Sequence, residues 1–81
     1  MRSKEAIGKI NSRDLGRGFQ LLRESKGQTQ TFAAAFCDKH TPLINKIEKG
    51  HKTIQLNTLE EILSHYDMTF CDFFQFVKEN L

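Results

Sequence analysis

The stretch "TPLINKIEKG", residues 41–50, constrains this chain more than any other. Thr41 and Pro42 open it, Ile44 and Ile47 recur inside it at helical spacing, and Gly50 closes it. Thr41 reads as an N-cap, with Pro42 at the first helical position, where its missing N–H is not needed. Glycine reaches the left-handed conformation that ends a helix. A helix this short is marginal alone, because isolated helices below about 12 residues barely form in water. Its isoleucines must therefore be buried against neighbours. With 81 residues the chain fits one small domain, and a bundle of short helices is an economical way to build its core.

The rest of the chain carries signals of the same kind. Residues 1–11 show weak periodicity and read as an N-terminal arm, and residues 12–81 as the domain. Ser12 is a candidate N-cap for a first helix carrying Leu15, Phe19 and Leu22, closed by Lys26 and Gly27. Gly16 and Gly18 weaken that helix by up to ~1 kcal/mol each, or else admit the close approach of another backbone. Thr29 caps a second helix, Gln30 to about Cys37, with Phe32, Ala33, Phe36 and Cys37 on its apolar side. Its alanines let a neighbouring helix come close. Asp38 follows, a residue that tolerates the left-handed turn conformation. "HKTIQ" is a connector. Leu56, Leu59, Ile62, Leu63 and Tyr66 make a fourth helix, broken at "YDMT". Thr69 with Asp72 imitates a capping box ahead of a fifth helix built on Phe70, Phe73, Phe74 and Val77. No strand alternation, repeat or low-complexity segment interrupts this pattern, so the expected fold class is all-α with five helices.

Several function classes are disfavoured. No Ser/His/Asp set, phosphate loop or carboxylate pair has a supporting context, so an enzyme is not expected, and no cofactor is implied. Cys37 and His40 lie three residues apart, with His51 and His65 elsewhere, but a metal needs four ligands held in a fixed geometry, so no metal site is expected. Cys37 and Cys71 form no paired motif and read as reduced, buried thiols. The opening residues are too polar for a signal peptide and no apolar run approaches the ~20 residues of a membrane span. The expected location is the cytoplasm. The charge is uneven: residues 1–52 hold eleven Lys and Arg against five acids, and residues 53–81 one Lys against five acids. Such polarity suits a chain with one end facing an anion.

Helices two and three are short and joined by a tight turn, the arrangement of a helix-turn-helix whose second helix enters a DNA major groove. Here the residues also resemble a known family. "LGRGFQLLRESKGQTQ", "INKIEKG" and "LNTLEEILSHYDMTFCDFF" resemble the lambda-repressor-like, Cro-type helix-turn-helix regulators of the XRE family. Leu15-Gly16, Leu22-Arg23, Lys26-Gly27, Thr29-Gln30, the Ile44 to Gly50 segment and Met68-Thr69 fall in the family's spacing without gaps, over residues 14 to about 76. The pattern departs at Asp38, where a turn glycine is usual, at Lys39, where an apolar residue is usual, at the uncharged "AAAF" of helix two, and at Pro42, where a hydrogen-bonding residue is common.

The resemblance implies a five-helix lambda-repressor-like domain that binds double-stranded DNA. Base-reading positions fall on His40, Thr41, Pro42, Asn45 and Lys46. Lysine can reach guanine, asparagine can bond adenine, and proline or the threonine methyl can touch a thymine methyl. Phosphate contacts fall on Arg17, Thr29, Gln30, Lys49, His51 and Lys52; such contacts raise affinity and salt dependence without choosing a sequence. Glu48 is expected to bond within the domain. A homodimer through helix five, using Phe73, Phe76, Val77 and Leu81, would match the two-fold symmetry of a palindromic operator.

The expected function is thus transcriptional regulation, more naturally repression than activation, in a bacterial or phage setting. RNA polymerase or a cognate regulatory protein is a further expected partner. The size also fits restriction–modification controllers, phage-type repressors, antitoxins and protein-interaction modules of the same fold. The last third of the chain resembles the peptide-responsive Rgg-type regulators, which would make it the DNA-binding domain of a longer protein.

Overall fold

In the computed structural model, residues 12–50 and 55–81 are described, and they form five helices. These are α1 (Ser12–Ser25), α2 (Gln30–Phe36), α3 (Thr41–Lys49), α4 (Leu56–Ser64) and α5 (Phe70–Asn80). The expected arm, 1–11, and the residues His51 and Lys52 lie outside the described residues.

Local chemistry explains most of the boundaries. Thr29 Oγ1 accepts the Phe32 N–H at 3.1 Å and starts α2. Thr69 Oγ1 accepts the Asp72 N–H, and Asp72 Oδ2 accepts the Thr69 N–H, each at 3.1 Å, completing the capping box of α5. Three helices end alike. After α1, α2 and α4 a residue turns left-handed: Gly27 (φ 70°), Asp38 (φ 57°) and Asp67 (φ 56°). The next N–H reaches back five residues each time: Gln28 to Arg23, Lys39 to Ala34, Met68 to Leu63. Asp38 thus does the work of the usual turn glycine, and Lys39 is held by an ion pair with Glu61 of α4 at 2.8 Å.

The start of α3 differs from the expectation. His40, not Thr41, is the N-cap, with no side-chain cap bond. Its carbonyl accepts the N–H groups of Leu43 and Ile44, so Thr41 is already helical and Pro42 is second. Proline fits there because first-turn N–H groups lack helical partners anyway.

The core is built around Phe19, Ile44, Ile62, Leu63 and Phe73, all fully buried. α1 packs on α3 and α5, α2 on α3, and α4 on α5. Gly16 and Gly18 make the α1 contacts possible. A Cβ on Gly16 would overlap the Ile47 carbonyl oxygen, and one on Gly18 would sit 2.5 Å from Val77 Cγ2.

Three expectations about burial are corrected. Phe32 and Phe36 are exposed, because α2 packs through Ala33, Ala34 and Cys37 instead. Small side chains bring α2 close to its neighbours and leave no room for rings beneath it. The phenylalanines stack on each other, and Phe36 also leans on His65 and Tyr66. Cys71 is exposed rather than buried, while Cys37 is buried as expected. Phe73 and Val77, proposed for a dimer surface, are 0% and 2% exposed and belong to the protomer's own core. Of that set, Phe76 is half-buried and Leu81 exposed.

Candidate nucleic-acid interface

The two sides of α3 differ sharply. Ile44 and Ile47 are 0% and 8% exposed and anchor it. On the opposite side Pro42, Lys46 and Lys49 are exposed, with Asn45 half-buried beside them. His40 is exposed and Thr41 half-buried at the helix entrance. Arg17 is exposed and follows Gly16, whose backbone lies against the Ile47 and Glu48 carbonyls, so it sits by the C-terminal end of α3. Thr29 is exposed at the start of α2.

A polar clasp holds this surface. Arg23 of α1 donates from Nε to Glu48 Oε2 at 2.6 Å and from Nη2 to Oε1 at 3.0 Å. Its Nη1 donates to the Gln28 carbonyl at 2.5 Å. The Arg23 and Glu48 side chains are only 9% and 4% exposed. The hydrogen bond to Glu48 raises the guanidinium pKa despite the opposing effect of burial. Buried ion pairs add little net stability compared with apolar residues, but two parallel bonds fix an orientation. The clasp continues outward. Gln30 Nε2 donates to Glu48 Oε1 at 2.9 Å, and Asn45 Nδ2 donates to Gln30 Oε1 at 3.3 Å. α1, α2 and α3 are therefore locked by one chain of four side chains.

This geometry changes the reading of Gln30. Its carboxamide, expected on a phosphate, is engaged inside the domain. Glu48 bonds within the domain, as expected. Arg23 was visible in the "LR" of α1, but its pairing was not: its partner lies 25 residues away. A second bond ties the end of α4 to the α1–α2 turn, from Tyr66 Oη to Gln28 Oε1 at 2.6 Å. Burial and the neighbouring Cys37 push the Tyr66 pKa well above the ordinary tyrosine range, and burial pushes Cys37 up as well. Among the described residues no group of three or more His, Cys, Asp or Glu could hold a metal ion. No described helix is long and apolar enough to cross a membrane.

Five helices, a tight turn between α2 and α3, and a clasp that seats α3 with one side outward define a helix-turn-helix domain. A helix-turn-helix family model matches residues 19–73. The chain belongs to that family, the XRE-type, lambda-repressor- and Cro-like helix-turn-helix proteins, which are DNA-binding transcription regulators. Comparison with curated proteins and with solved structures finds no match.

Proposed function

We propose that the protein is a transcriptional repressor that binds a palindromic operator as a homodimer and occludes a promoter. One observation carries this reading: α3 is anchored by two buried isoleucines and a buried ion pair while Pro42, Lys46 and Lys49 stand outward. The major groove, about 12 Å wide, accepts one such helix. Lys46 is the base-reading candidate of greatest reach, with the half-buried Asn45 beside it and His40, Thr41 and Pro42 at the helix entrance. Arg17, Thr29 and Lys49 supply phosphate contacts, as does the backbone N–H of Gln30, and His51 and Lys52 are proposed for the same role. In a dimer two α3 helices would lie about 34 Å apart on successive grooves. Phe76, Leu81 and the half-buried, stacked Phe70 and Phe74 of α5 supply apolar surface for that contact.

Titration against duplex DNA at about 50 and about 200 mM salt tests the reading. Affinity falling by orders of magnitude between the two supports it, because phosphate contacts release counterions. No binding to any duplex at low salt overturns it. A protein-interaction module of the same fold is the second reading. Phe32 and Phe36, 58% and 42% exposed, favour it, as an aromatic surface on α2 next to His65 and Tyr66 suits a protein partner.

A further inference from the structure

We infer that Gln30 fixes which end of the Asn45 carboxamide faces outward, so that position 45 offers a hydrogen-bond acceptor and selects adenine or cytosine on the strand it meets. The inference rests on α3 being the groove helix. Glu48 is a carboxylate and can only accept, and both its oxygens already face Arg23. Gln30 can approach it only with Nε2, which it does at 2.9 Å. That choice turns Gln30 Oε1 to the other side. An oxygen there demands a donor, and Asn45 supplies Nδ2 at 3.3 Å.

Asn45 is thereby oriented. With Nδ2 held toward Gln30, Oδ1 is directed away from it. Flipping the Asn45 amide would set two carbonyl oxygens face to face. Flipping Gln30 as well would set its oxygen against Glu48. The polarity of the buried pair is thus transmitted through two amides to the outer side of α3. An outward acceptor matches the amino groups that adenine and cytosine present in the major groove, and it opposes guanine O6 and thymine O4. The second N–H of Asn45 can also donate to adenine N7, so adenine is the better of the two. Gln30 is a positioning residue here, because it acts on the base only through Asn45.

Bound sequences selected from a random duplex library give the test, using the full chain and its Gln30→Met, Asn45→Ala and doubly substituted forms. The wild-type protein should prefer adenine or cytosine at one position per half-site by about tenfold. Both single variants should reduce that preference to below about threefold at the same position, leaving the other positions unchanged, and the double variant should do no more. Gln30→Ala, which adds no bulk, repeats the measurement should Gln30→Met fail to fold. A Gln30 variant that keeps a preference lost in Asn45→Ala overturns the inference alone. A uniform loss at every position does the same. Wild-type protein that selects no sequence and binds no duplex at low salt overturns the regulator reading, and the inference with it.

Discussion

Helix α1 is pressed against two helices through glycines two residues apart, and the two contacts are of different kinds. At Gly16 it meets main-chain carbonyls of α3. At Gly18 it meets the Val77 side chain of α5. The α3 contact is reinforced by the directional bonds of Arg23 and Glu48, whereas the α5 contact is apolar. Main chain cannot step aside without moving its helix, while a side chain can shift or be replaced. The helix proposed to enter the groove is therefore fixed in position and orientation. The C-terminal helix is held by shape and burial, which tolerate adjustment.

The sharpest way to break this contrast is to remove half of the ion pair. Glu48→Ala leaves a buried guanidinium without its partner and should destabilise the domain by about 3–5 kcal/mol in denaturant unfolding. A loss below about 1 kcal/mol would mean the clasp does not hold α3. Next come the two glycines. Gly16→Ala should cost about 1–3 kcal/mol from overpacking against main chain. Gly18→Ala should cost less, about 1 kcal/mol, because the clash falls on one methyl of Val77 rather than on main chain and improved helix propensity returns up to ~1 kcal/mol. Adding Val77→Ala should relieve any remaining clash at Gly18 but nothing at Gly16. Equal costs at the two sites would erase the distinction.

The buried Cys37 and Tyr66 set a smaller effect. Both pKa values are raised in the fold, so the unfolded chain loses these protons first as pH rises. Their contribution is fully present below the ordinary thiol value and is lost from about pH 8.5 upward, by at most about 1.4 kcal/mol per pH unit for each group. Stability that is flat between pH 8 and 11 would contradict this burial. The smallest change in protomer stability, under about 1 kcal/mol, is expected for Phe76→Asp, since Phe76 is only half-buried. Sedimentation of that variant should nonetheless shift toward monomer. An unchanged sedimentation coefficient would remove α5 from the proposed dimer contact.

Much of the architecture was legible because it is local. Caps at Thr29 and Thr69, the glycine ends at Gly27 and Gly50, and the apolar spacing of α1, α4 and α5 are properties of short windows, and all are found in the fold. What the windows could not show is which of several apolar residues a neighbour covers. Phe32 and Phe36 have the right spacing for a core face, yet the alanines beside them set the packing distance and leave the rings outside. Phe73 and Val77 were placed on a dimer surface, yet the protomer's own core takes them in, with Val77 against Gly18 of α1. The site divides the same way. The outward set on α3 follows from helical spacing around Ile44 and Ile47. The bonds from Gln30 to Glu48 and Asn45 join residues 18 and 15 positions apart, and no local pattern encodes such contacts.

α3 is the surface proposed to meet DNA. Backbone amide resonances followed while the protein is titrated with its selected duplex locate the surface that meets DNA. The largest shifts should fall on Thr41, on Leu43 to Lys49 and on Gln30, with α5 little affected near its N-terminus. Shifts centred on Phe32, Phe36 and His65, with α3 unmoved, would contradict it.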